Sequence, residues 1–282
     1  MEAMTKNIPA LAMRGLTVFP RMTTSFDVER GISVRALERA METGQELFLV
    51  TQRELAVEAP EEKDLYEIGT VAHIIQVLRA SNSMVRVVME GRSRARLKRL
   101  WQREPFLQAQ VELIGEAKPL RRGNRTEAML RQTYALFGEY NELLPKQPES
   151  LLATVMDATD PGYLADLIAQ NINLRYQDKQ SVLEELRPLV RLRRVNEILT
   201  REIGVIAMEQ DIESKVRERV GQIQKDMILR EQIKVLQNEI GEGDSAAEFD
   251  EYRARIAACR LPEETEKKLL KDVERLSRQP FG

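Results

Sequence analysis

The side chains that could do chemistry are few, and their spacing does not suit it. One histidine, His73, stands in the apolar run 68–78, and one cysteine, Cys259, stands in a charged helical stretch. A lone imidazole cannot build a metal site or a serine–histidine pair, and at a strand position among apolar neighbours its expected role is structural. The sequence holds no G-x-x-x-x-G-K-[ST] phosphate loop, no G-x-S-x-G elbow and no H-E-x-x-H helix. Carboxylates occur throughout, so acid–base work by a carboxylate pair stays open. Their commonest use in such a chain is on solvated helix faces, paired with Lys or Arg one turn away.

Two groups of residues could instead carry binding. Val18-Phe19-Pro20-Arg21-Met22 sets apolar side chains around a proline turn where a loop is usually polar, and Met84 follows a second turn. Methionine is flexible and polarizable, which suits recognition of varied apolar partners. Phe19, Pro20, Met22 and Met84 are therefore the candidate contact residues; the alternative, that Phe19 and Met22 tuck under a sheet, stays open. The second group is basic: Arg92, Arg94, Arg96, Lys98 and Arg99, with Arg121, Arg122 and Arg125 farther on. A solvated strand face is the expected role, with contact to phosphate or an acidic partner as the alternative.

The elements that must position these residues change character along the chain. With 282 residues, two domains or a domain plus an extension are expected. Basic and acidic side chains number 43 and 45 and nearly cancel, which argues against a surface devoted to nucleic acid. Aromatic residues make up 5% and charged ones 31%, a balance typical of long solvated helices. A single cysteine fits a reducing compartment, and no stretch approaches a membrane span, so a cytoplasmic protein without membrane contact is expected.

Up to about residue 118 the pattern is β-rich. Short apolar runs at 8–13, 16–19 and 47–50 end at glycine, proline or polar punctuation. Ser33 is placed to cap a helix over 34–41, with Gly44 as its stop. Runs 68–78 and 85–89 answer each other across Ala80-Ser81-Asn82-Ser83 as a hairpin, and alternation resumes through 94–99 and 106–114. A strongly bent antiparallel sheet or small barrel is the expected product.

From Arg121 the period becomes helical. Met129, Thr133, Leu136, Phe137 and Tyr140 share a face, Pro145-Lys146-Gln147-Pro148 breaks it, and Asp160-Pro161 opens a further helix bearing Leu164, Leu167 and Ile168. Between Pro188 and Pro262 there is no proline, and a continuous helix to Gly241 would extend about 80 Å. Val216, Val220, Ile223 and Met227 step four-three-four, as do Leu229, Ile233, Leu236 and Ile240, so a partner helix is implied, in this chain or a neighbouring one, and the first four are the candidate assembly residues. Gly204 and Gly221 mark expected bends. Two shorter helices separated at Leu261-Pro262-Glu263-Glu264 complete the chain as a hairpin. The reading is thus α+β: a pseudo-barrel sheet domain (1–118), a helical bundle (119–200), a long coiled-coil-like helix (201–243) and a helical hairpin (244–282).

Several ordered segments carry a family resemblance. Leu16-Thr17-Val18-Phe19-Pro20, the helix at 33–41, Leu47-Phe48-Leu49-Val50-Thr51-Gln52, Tyr66-Glu67-Ile68-Gly69-Thr70 and Val87-Val88-Met89-Glu90-Gly91 resemble, in order and spacing, the amino-terminal domain of Lon proteases. Lys215-Val216-Arg217-Glu218-Arg219-Val220, Leu229-Arg230-Glu231-Gln232-Ile233-Lys234 and Leu261-Pro262-Glu263-Glu264 look like the helical region preceding that family's ATPase module. The resemblance implies a non-catalytic region that captures unfolded or damaged proteins and supports a homohexamer. ATP, Mg and serine–lysine proteolysis belong, by the same implication, to modules beyond this sequence, which would make it the front portion of a larger machine. Competing readings are a pure assembly or gating scaffold, and a weak regulatory contact with nucleic acid.

Overall fold

The computed structural model describes residues 4–79, 84–115, 123–144, 149–239, 242–259 and 261–277. The turn at 80–83, the break at 145–148, Arg121, Arg122, Ile240 and Gly241 lie outside the described residues.

Six strands form one sheet: β1 (Thr5–Met13), β2 (Thr23–Val28), β3 (Glu46–Thr51), β4 (Ile68–Arg79), β5 (Val85–Gln102) and β6 (Gln108–Leu113). Their order is β2-β5-β4-β3-β1-β6, and β6 also pairs with β5. The second pairing closes β5, β4, β3, β1 and β6 on themselves, leaving β2 appended to β5. Closure is possible because β5 is 18 residues long and bends. Register shifts at Leu97/Arg99 and Leu100/Gln102 against β6, and at Val71/Ala72 and Ile74/Gln76 between β4 and β5, add the local twist that turns the sheet around. Of the expected strands, 16–19 is absent; that stretch crosses the sheet as irregular chain.

Strand alternation divides the barrel's apolar residues between two cores. Phe48 and Val50 of β3 face inward with Ala10, Val71, Leu97 and Val111. Leu47 and Leu49 face the opposite way, onto helix α1 (Gly31–Glu42), whose Ala36, Leu37 and Ala40 are buried. The helix begins two residues before Ser33: Arg30 is its extended cap residue, and Val34 donates its N–H to the Arg30 carbonyl at 2.9 Å. Ser33 therefore lies in the first turn, where its hydroxyl has no cap to make.

The helices that follow are α2 (Asn124–Leu143), α3 (Glu149–Asp157), α4 (Pro161–Asn171), α5 (Tyr176–Glu184) and α6 (Pro188–Glu239). Asp160 caps α4 as its sequence position predicts, accepting the Tyr163 N–H at 2.7 Å ahead of Pro161 in the first turn. Phe137, Tyr140, Leu164, Ile168, Leu192 and Leu199 form the centre of the bundle core. Phe19, Met22 and Ile68 of the sheet region belong to that same core. Sheet and bundle accordingly form one compact unit, Met1–Ala207, and the expected boundary near 118 falls within it.

A second unit, Met208–Gly282, holds the rest of α6, α7 (Glu242–Ala258) and α8 (Glu263–Ser277). Helix α6 is continuous through Gly204 and Gly221, both exposed or nearly so and without a close neighbour. No packing demand breaks the helix there, and the cost of glycine is carried by the residues around it.

Candidate functional site

The apolar turn is not offered to solvent. Phe19 is 0% exposed and Met22 6%, and Pro20 is buried between them. The segment reads as apolar because Phe19 and Met22 fill the bundle core while Val18 fills the core beneath α1. Its backbone is clamped as well. The Thr70 hydroxyl donates to the Val18 carbonyl at 2.6 Å, Arg21 N–H donates to the Gly91 carbonyl at 2.7 Å, and Gly91 N–H donates to the Met22 carbonyl at 2.9 Å. A Cβ on Gly91 would lie 2.2 Å from the Phe19 carbonyl oxygen, so only glycine admits this approach. Exposure of Phe19, Pro20 and Met22, the premise of their expected role, is thereby overturned.

Met84 is half-buried at the foot of β5. Nearby on β4, Ile75 and Leu78 are exposed. There β4 has passed the last pair of its ladder with β3, His73 with Glu46, and pairs with β5 alone. Met84, Ile75 and Leu78 thus lie on a three-stranded arm made from the distal halves of β4 and β5 with β2 alongside. His73 itself is half-buried within β4, and Cys259 is exposed.

The basic stripe is divided among carboxylates. Arg92 pairs with Glu90, Arg96 with Glu67, and Lys98 with Glu112. Arg94 behaves differently: it is 8% exposed and reaches from β5 into the bundle. Its Nη1 and Nη2 donate to the two carboxylate oxygens of Asp166 on α4 at 2.9 and 2.7 Å, and its Nε donates to the Leu183 carbonyl at 2.9 Å. Arg191 of α6 donates to the same Asp166 from Nη1 at 3.0 Å and to the Glu185 carbonyl from Nε at 2.8 Å. Burial pushes the Arg191 guanidinium below its ordinary value, Asp166 pulls it back up, and the Arg94 charge depresses it again. Sequence reasoning missed this Arg–Asp–Arg cluster, because alternation puts Arg94 on the same strand face as Arg92 and Arg96. Beside it opens a cavity of about 380 Å³, lined among others by Arg21, Arg92, Ile114, Tyr163 and Pro188. Arg21 stacks over the Tyr163 ring, 5.9 Å from its centroid. Two charged pairs, one of them a bidentate fork, make this cavity wall a rigid joint.

On α6, Val216, Val220, Ile223 and Met227 are 55%, 48%, 59% and 73% exposed. Between them the side chains are mostly charged or amide, with Lys215–Asp211 and Arg217–Glu213 pairs one turn apart, while Ile212, Ile228 and Leu229 add exposed apolar surface at either end. Among the described residues no group of three or more His, Cys, Asp or Glu could hold a metal ion, and no helix is long and apolar enough to cross a membrane.

Comparison with known proteins gives a consistent result. A family model described as the ATP-dependent protease La (LON) substrate-binding domain matches residues 7–201. The Lon protease of Heliobacterium modesticaldum is 38% identical over 98% of this chain and 34% of its own length. The Lon protease of Syntrophomonas wolfei subsp. wolfei is 36% identical over the same shares, 98% and 34%. The chain thus spans about a third of the length of these curated relatives. Among solved structures, the N-terminal domain of Mycobacterium avium complex Lon protease superposes with a TM-score of 0.56 at 20% identity, covering 69% of this chain and 98% of that one, a likeness of fold.

Proposed function

The chain belongs to the Lon protease family, matching its substrate-binding region, and from that premise we propose that it captures unfolded or damaged polypeptides for an ATP-dependent protease. The observation that carries the reading is the apolar arm, on which Ile75 and Leu78 are exposed beside half-buried Met84. Folded proteins hide apolar segments and unfolded ones do not, so a small apolar surface on a rigid sheet discriminates between them by burial alone. Binding of this kind is weak at each contact and gains from many. The test is to mix the chain with a permanently unfolded client and with the same client folded. Binding of the unfolded form only is expected; equal binding of the two, or of neither, would count against the reading.

The chain's own residues do not fit a nucleotide–Mg site, since the sequence has no phosphate loop. ATP use and peptide cleavage are assigned to the rest of a complete protein, working in the cytoplasm. A second reading, assembly into a homohexamer, is favoured by the exposed stripe at Val216, Val220, Ile223 and Met227. Exposed apolar side chains at coiled-coil spacing on a helix rich in charge call for a partner helix. Contact with nucleic acid has less to stand on, because Arg92, Arg96 and Lys98 are each paired with a glutamate.

A further inference from the structure

Strand β2 is an edge without the usual protection. It pairs with β5 over its whole length, Thr23 with Glu90 through Val28 with Val85, with no register shift. Natural edges are blunted by lysine, proline or a bulge; a bulge, Arg21 and Met22 against Gly91, stands just ahead of the strand, but Thr23-Thr24-Ser25-Phe26-Asp27-Val28 itself has none of these, and its one charge, Asp27, is held bidentately by Arg86 at 2.8 and 2.9 Å. Hydrogen-bond alternation shows which backbone groups are turned outward. Gly91 N–H donates to the Met22 carbonyl, so in the antiparallel ladder Thr24, Phe26 and Val28 also bond to β5. Thr23, Ser25 and Asp27 direct their N–H and C=O away from it.

Across from this edge lies a second one. Strand β1 pairs with β6 only from Thr5 to Pro9, and Ala10 N–H still reaches the Leu107 carbonyl at 2.8 Å. Farther on, β1 keeps only its parallel pairing with β3. Gln52 N–H donates to the Met13 carbonyl, which fixes Met13 and Leu11 toward β3 and turns the backbone of Ala12 to the open side. A groove of about 300 Å³ runs between the two edges, with Leu11, Leu16, Phe26 and Val28 lining it and Arg14 and Arg30 at its rim. The other free edge, at residues 75–79 of β4, is interrupted by a register shift and approached by α1 through the Arg79–Glu38 pair.

We propose that the groove between β1 and β2 takes up an extended segment of an unfolded polypeptide as an added strand, held by main-chain hydrogen bonds to Ser25 and Asp27 on one side and Ala12 on the other. The inference rests on the reading that the chain captures unfolded protein, and it specifies what is read. Recognition is of unpaired backbone in extended form, with every second side chain of the client laid on Leu11, Leu16, Phe26 and Val28. An extended main chain is the chemical complement of two open edges, and unfolded clients are the proteins that carry one unpaired.

The probe is a fluorescent peptide of alternating valine and threonine, compared with the same peptide N-methylated at every second residue in either phase. Methylation removes N–H donors and leaves the side chains in place; about tenfold weaker binding is expected for both methylated forms. Ser25→Pro deletes an outward donor without touching the β2–β5 ladder and is expected to weaken the unmethylated peptide to a similar degree. If Ser25→Pro fails to fold, the methylated peptides decide alone. Peptide binding that ignores both methylation and Ser25→Pro overturns the inference and leaves capture by the apolar arm standing; no binding of any unfolded probe overturns both. Should Ser25→Pro instead reduce self-association in sedimentation with peptide binding unchanged, the edge serves a second copy and the inference falls.

Discussion

Asp166 is where a single side chain holds the most structure in place. It neutralises two buried guanidinium groups from elements on opposite sides of the sheet–bundle junction, so its removal strands both. Asp166→Ala is expected to cost about 3–5 kcal/mol, read as a lower urea midpoint with an unchanged slope. A residue with the opposite electrostatic setting is Lys179, whose burial depresses its pKa below 10.5 although its Nζ donates to the Gln170 carbonyl. A lysine that loses its proton more easily when folded binds fewer protons in the native state, so stability rises as pH climbs from that depressed value toward 10.5. Burial raises the Tyr140 phenol above 10.0, which works the other way and lowers stability at higher pH. Melting temperature is therefore expected to rise on the alkaline side and turn over near the tyrosine range; Lys179→Gln should flatten the rise. Neither Asp166 nor Lys179 stands out in the sequence. Arg94 shares a strand face with Arg92 and Arg96, and what separates them is which point of that face α4 covers, a fact of tertiary packing that period-two alternation does not contain.

Element by element, the sequence was most legible where side-chain chemistry acts locally. A short apolar run located β3, β-branched runs located β4 and the start of β5, and Asp160-Pro161 located the start of α4 to the residue. Misplacements arose where distant contacts decide. The apolar stretch 16–19 has strand composition but is held by the Thr51 and Thr70 hydroxyls, which donate to the Leu16 and Val18 carbonyls, and the short α5, mostly polar along its length, was not separated from its neighbours. The stripe on α6 was legible as a spacing, and its exposure leaves it free for a partner helix. Val220→Glu combined with Ile223→Lys is expected to leave helix content unchanged, since neither side chain is buried, and to shift the chain toward monomer in sedimentation velocity. Unaltered sedimentation would remove the assembly reading of this stripe.

At the scale of the molecule, the two compact units meet at Ala207. A fragment ending at Ala207 keeps the whole bundle core through Ile203, and its thermal midpoint is expected to match that of the intact chain. Ending the fragment at 118 exposes Phe19, Met22 and Ile68 and leaves Arg94 without its carboxylate; an aggregating product without near-ultraviolet ellipticity is expected. The same joint imposes an order in time. Arg94 precedes Asp166 by 72 residues, so a ribosome working at roughly 5–20 residues per second leaves this guanidinium waiting on the order of 4 to 14 s for its partner. Once β6 is made, and for the rest of that interval, the wedge at Phe19 has nothing to close over it. A region proposed to hold other proteins' exposed segments passes through the same exposure at its own synthesis, and its yield in the cell will follow how fast α4 is delivered.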